Sequence, residues 1–130
     1  MKKTPQEWRE QLTPEEYRVC REKGTEKPFS GELLNQFAPG TYHCTCCGEP
    51  LFDATSKFDS HCGWPSFDAQ SADDNVGYEF DESHGMRRVE IVCKHCDAHL
   101  GHVFDDGPTD TGKRYCVNSV SIKFRSANET

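Results

Sequence analysis

The sequence predicts a mainly β (α+β) fold, two antiparallel sheets with short N-terminal helices, and three observations carry that reading. From Thr41 onward, short runs of alternating apolar and polar residues are separated by Gly, Pro, Asn and Asp. Two helix-start signatures stand before Thr25. Two C-x-x-C units, Cys44 to Cys47 and Cys93 to Cys96, are spaced to staple the strands between them.

Each helix start has its chemistry in view. Thr4-Pro5-Gln6-Glu7 offers an N-cap hydroxyl, a proline in the first turn and a glutamate that reaches back, with Trp8 and Leu12 on one face. Thr13-Pro14-Glu15-Glu16 repeats the pattern, Tyr17 and Cys20 face inward, and Gly24 supplies a stop. Pro28-Phe29-Ser30-Gly31 breaks the chain, and Glu32-Leu33-Leu34-Asn35 reads as one helical turn. Thr41-Tyr42-His43 and Glu49-Pro50-Leu51-Phe52 flank the first C-x-x-C, and Lys57 to Phe67 reads as a structured loop without period. Val76, Tyr78 and Phe80 on one run and Val89 and Ile91 on the next predict a hairpin, turning at Asp81-Glu82-Ser83-His84-Gly85. Ala98 to Phe104 is a further strand, and turns follow at Asp105-Asp106-Gly107-Pro108 and Thr111-Gly112. The alternation Cys116, Asn118, Val120, Ile122, Phe124 predicts one last strand.

The 130 residues are expected to form one domain (1–130), a helical cover over about 4–24 and a β core over about 40–125. Fifteen basic against 22 acidic residues leave a net charge of −7 with no basic block, which argues against nucleic acid or an anionic membrane as partner. No apolar run is long enough to span a bilayer, and Met1-Lys2-Lys3-Thr4-Pro5 lacks the apolar core of an export signal. The expected location is therefore cytoplasmic. In that reducing compartment eight cysteines, four of them in two C-x-x-C units, fit metal binding better than disulfides.

Cys44, Cys47, Cys93 and Cys96 offer four thiolates to one tetrahedral ion, which suits a closed, structural Zn²⁺ site, with iron as the alternative metal. Cys46 and His95 lie inside the two units and are the competing ligands.

Cys20, Cys46, Cys62 and Cys116 remain. Cys116 lies beside Arg114, whose charge favours a thiolate, although a lone cysteine is also an ordinary buried side chain. Cys62 precedes Gly63-Trp64-Pro65, where Trp64 is either a core plug together with Phe67 or the half-exposed wall of a pocket. His99 and His102 are candidates for proton transfer. On a regular strand they point to opposite faces, and a bulge at Gly101 would bring them together.

The stretches Ser60 to Phe67, His84 to Arg87, Cys96 to Phe104 and Arg114 to Ser119 resemble the B-type peptide-methionine (R)-S-oxide reductases. The resemblance runs from Glu15 to Phe124, both C-x-x-C units match the zinc-bearing branch, and His61 stands where the family often has glycine. It implies an enzyme that reduces methionine-R-sulfoxide, protein-bound or free; a monomer is the expected state. Cys116 would be the nucleophile and Cys62 the resolving cysteine, and thioredoxin would reduce the disulfide they form. Trp64, with Phe67, would receive the substrate's methyl group, and His102 and His99 would hold or protonate its oxygen. Asn118 and Arg114 would orient the site. Two rivals differ in their demands: a zinc-ribbon binding module leaves Cys62 and Cys116 inert, and a hydrolase built on Cys116, His102 and Asp106 needs no second thiol.

Overall fold

A computed structural model of the chain describes residues 3–60, 62–82 and 85–127. His61, in the stretch expected as a structured loop, and Ser83 and His84, in the expected hairpin turn, lie outside the described residues. Helices α1 (Pro5–Gln11) and α2 (Pro14–Cys20) each start in a complete capping box, on Thr4 with Glu7 and on Thr13 with Glu16. Seven residues are too few for a helix to persist alone, so packing must hold both. Trp8, Leu12, Val19 and Cys20 are buried beneath them. α2 stops at Cys20, earlier than Gly24, and the left-handed residue that turns the chain is Lys23 (φ 60°). Gly24 instead donates its N–H to the Arg18 carbonyl. Residues 32–35 form a hydrogen-bonded turn and not a helix.

Nine strands follow among the described residues: β1 (Gly40–Cys44), β2 (Pro50–Asp53), β3 (Lys57–Phe58), β4 (Ser66–Phe67), β5 (Val76–Asp81), β6 (Arg88–Cys93), β7 (His99–Phe104), β8 (Arg114–Val117) and β9 (Ile122–Ser126). They build two antiparallel sheets, in the order β2-β1-β9 and β3-β4-β8-β7-β6-β5. The β5–β6 hairpin is present as expected, pairing Val76 with Cys93 through Asp81 with Arg88. The stretch expected as a loop from Lys57 to Phe67 has short paired ends, β3 on β4, with the loop between them. Tyr42 and Phe52 from the small sheet meet Phe67 and Tyr115 from the large one. Phe52 stacks on Phe67 with ring centroids 4.4 Å apart, so this aromatic layer binds the sheets to each other.

The expected single strand from Cys116 to Phe124 is two strands. β8 ends at Val117, one 3-10 turn spans Ser119–Ser121, and β9 joins the other sheet. The crossing is held by long-range partners. Glu26 accepts from the Val120 N–H, and Thr45 donates its hydroxyl to the Val120 carbonyl while its N–H bonds Ser121.

Candidate active site

The two C-x-x-C units adopt one shared turn. Cys44 accepts from the Gly48 N–H and donates to Glu49, and Cys93 accepts from Asp97 and donates to Ala98. Gly48 and Asp97 occupy equivalent left-handed positions, at φ 83° and 63°. The helical cover ties down both turns, since Gln11 donates to the Cys46 carbonyl and Arg21 to the Cys96 carbonyl. The Sγ atoms of Cys44, Cys47, Cys93 and Cys96 all lie within 4.8 Å of one another, a set that can hold a metal ion. Metal–sulfur bonds of about 2.3 Å in a tetrahedron place the sulfurs about 3.8 Å apart. The Cys44–Cys96 and Cys47–Cys93 separations are 3.6 and 3.5 Å, close to that figure. Neither Cys46 nor His95 belongs to the group of four.

The sheet register lines up the remaining chemistry. Glu90 pairs across strands with His102, His102 with Cys116, and Cys116 with Ser66. Directly opposed residues share a face, so these side chains form one row across the large sheet. Phe67 and Tyr115, one position along, point to the opposite face. Phe67 is accordingly fully buried in the aromatic layer and is absent from the cavity lining, which corrects its expected place beside the substrate. The bulge predicted near Gly101 exists: Ile91 pairs with Gly101 and Val92 with His99, leaving Leu100 as the extra residue on β7. Asn118 pins it by donating both its N–H and its Nδ2 to the Leu100 carbonyl. The rings of His99 and His102 then meet edge to face with centroids 5.7 Å apart. A side chain at 101 has no space, because a Cβ there would lie 1.9 Å from the Cys116 carbonyl oxygen.

A cavity of about 280 Å³ opens over this row, lined by Cys62, Trp64, His102, Arg114, Cys116 and Asn118, with Thr25, Arg88, Gly101 and Phe104. A larger one, beside α2 and Ser119, contains neither cysteine nor histidine in its lining. Half-buried Trp64 is a wall and not a plug, and its indole N–H is anchored on the Glu26 carbonyl at 3.0 Å. The Arg114 guanidinium lies over the Phe104 ring and is gripped by Asp106 at 2.8 and 3.2 Å. Asp106 is thus committed to Arg114 and does not serve a hydrolase triad. The carboxylate on His102 belongs to Asp81, at 2.8 Å. Behind His102, His99 is buried and bonds Glu90 at 2.6 Å, outside the cavity lining.

Asp81, Glu90 and Glu26 escaped the sequence reading. Glu90 carried a faint signal, a carboxylate in mid-strand between Val89 and Ile91. Nothing local marks the other two.

The Cys62 and Cys116 sulfurs are 3.5 Å apart, both partly exposed, which does not suit the inert pair of a binding module. Their acidities run against the expectation that Arg114 ionises Cys116. The Cys62 sulfur and burial push Cys116 up, and Arg114 only partly opposes them. Cys62 is held down to about 4, first by the Cys116 thiol that donates to it and then by the Ser60 and Ser66 hydroxyls. The two sulfurs shift each other in opposite directions, which makes Cys62 the more acidic member of the pair. Between pH 4 and neutrality, iodoacetamide is expected to alkylate Cys62 before Cys116, as read by peptide mapping. Preferential labelling of Cys116 would reverse this order.

A family model described as the SelR domain matches residues 12–126. The "Peptide methionine sulfoxide reductase MsrB" of Cellvibrio japonicus (strain Ueda107) is 63% identical over 115 residues, covering 88% of this chain and 82% of that protein. The protein of the same name from Hahella chejuensis (strain KCTC 2396) is 59% identical over 128 residues, covering 98% and 92%. The Mis18 'Yippee-like' domain shares the fold at a TM-score of 0.56 and 18% identity, over 70% of this chain and 99% of that one. With the family model matched over most of its length and relatives this similar, the chain belongs to the SelR-domain family of peptide methionine sulfoxide reductases and is an oxidoreductase.

Proposed function

We propose that the chain reduces methionine-R-sulfoxide in polypeptides, and free methionine-R-sulfoxide as well, through Cys116 and Cys62, with thioredoxin as the reductant. The observation that carries the reading is the 3.5 Å approach of the two sulfurs beside a cavity walled by Trp64 and His102. Trp64 offers an apolar face to the substrate's methyl group. Arg114 and Asn118, each fixed by its own partners, complete the lining. The Cys116 sulfur attacks the electrophilic sulfoxide sulfur, and its proton passes by way of His102 to the sulfoxide oxygen, with His99 behind. As methionine leaves, the oxygen stays on Cys116, so one thiol and one sulfoxide become one sulfenic acid and one thioether. Cys62, already the more acidic sulfur, then attacks Cys116; the S–S bond forms as the S–O bond breaks, and the oxygen departs as water with its own hydrogen and one proton from solvent. Two electrons from a thioredoxin dithiol restore both thiols.

The four-cysteine group is assigned to one structural Zn²⁺, with Cys44, Cys47, Cys93 and Cys96 as its ligands. The ion would supply a fixed tetrahedral cross-link and no catalytic position. Residues 1–130 are read as one domain acting as a monomer in the cytoplasm. No helix among the described residues is long and apolar enough to cross a membrane.

Turnover on the separated epimers with thioredoxin tests the proposal. The R epimer should be consumed over many cycles and the S epimer left intact. Consumption of S, or an absence of cycling with thioredoxin, contradicts it.

A further inference from the structure

Glu90 is a carboxylate midway along β6, between β7 and the edge strand β5, 4% exposed, where an unpaired charge would cost several kcal/mol. Both of its oxygens are engaged. Oε1 accepts from Lys23 Nζ at 3.1 Å, and Oε2 lies 2.6 Å from His99 Nδ1. Lys23 reaches it from a backbone held at φ 60°, an unusual conformation for a residue other than glycine, and its side chain is otherwise largely exposed. The imidazole at the other end is equally constrained. The Ser121 hydroxyl donates to the His99 carbonyl at 2.9 Å, the Leu100 bulge is pinned by Asn118, and the ring edge meets His102. His99 does not line the cavity, whereas His102 does.

We propose that Glu90 is a positioning residue for the sulfoxide-reducing step: it holds His99 as the Nδ1–H tautomer, and His99 in turn sets the orientation of the His102 ring beside Cys116. A carboxylate facing one imidazole nitrogen places the proton on that nitrogen and leaves the other as an acceptor. Burial keeps His99 below the ordinary imidazole value even though Glu90 opposes it, so the ring stays neutral and has one tautomer to choose. Lys23 reaches the carboxylate from the surface side and supplies a charge partner for it there. Asp81 does the corresponding work on His102 Nε2 from the same hairpin, so β5 and β6 present one carboxylate to each imidazole.

The proposal rests on the reading of His102 as the group that passes the proton to the sulfoxide oxygen, and the two fail separately. In the full chain labelled with ¹⁵N-histidine, His99 should show a protonated Nδ1 and a bare Nε2 near neutral pH. An Nε2–H or doubly protonated His99 overturns the proposal without any turnover being measured. Glu90→Gln should lower the single-turnover rate of methionine release by about 10- to 100-fold, the range found when partners that orient metal-bound imidazoles are removed. KM should stay where it is, because Glu90 does not touch the cavity. A folded Glu90→Gln protein with the wild-type rate overturns the proposal. His102→Ala is the reference, expected to fall by about two to four orders of magnitude. A wild-type rate in that variant defeats the reading of the site, while the tautomer still reports on Glu90. Should Glu90→Gln fail to fold, the wild-type spectrum decides alone.

Discussion

Cys116→Ser is expected to release no methionine at all, even in a single turnover with the enzyme in excess. A serine hydroxyl is a far weaker nucleophile toward sulfur than a thiol and gives up its proton far less readily, so the first bond does not form. The cavity should survive, since Cys116 is flanked by Ser66 and His102 across the sheet and oxygen for sulfur is a small change in volume. Cys62→Ser separates the second step from the first. Removing the Cys62 sulfur removes the first cause that raises Cys116, so attack should persist and one methionine per enzyme should appear. The protein then stalls as the sulfenic acid, thioredoxin-dependent cycling is lost, and a small thiol that reaches Cys116 restores part of it. Cys20 and Cys46 are buried and do not line the cavity, so they are poorly placed to substitute. Normal cycling of Cys62→Ser with thioredoxin would refute the assignment of Cys62.

What could be read from the chain was what it encodes within a few residues. Both capping boxes and both C-x-x-C turns are local, and each appears where the residues indicated. The bulge that unites His99 and His102 was legible as well, because two histidines three apart on a strand require one if they are to meet. The Cys116 strand misled because alternation continues unbroken through Phe124 while the chain changes sheets. The cause of that change is remote: Glu26 and Thr45 hold residues 120 and 121 in a turn, and neither is near them in sequence. Phe67 misled for a related reason, since adjacent strand residues face opposite ways and only the pairing of Ser66 with Cys116 shows which way Phe67 faces. The carboxylates of Asp81 and Glu90 look like ordinary surface charges until the sheet places the histidines beside them.

Cys93→Ser is expected to lower metal content and melting temperature together, and the fold explains why the loss should be large. The four sulfurs join two turns separated by the whole stretch from Gly48 to Val92, which contains the Cys62 loop and four of the nine strands, β2 to β5, with most of β6. A cross-link closing a loop of that length stabilises by on the order of 4 kcal/mol, if it acts as a disulfide of equal span would. For a chain of this size that corresponds to roughly 10 to 20 °C in Tm. Three sulfurs hold zinc less tightly than four, and binding is coupled to folding, so a strong chelator should reproduce the shift in the unmutated protein. The helical cover should loosen with it, because Gln11 and Arg21 are bonded to carbonyls inside the two turns. Metal analysis of the purified chain should return one zinc per protein and no iron. A metal-free Cys93→Ser protein of unchanged Tm and full activity would show that the sulfurs cluster without a metal and that the cross-link is not what holds the sheets in place.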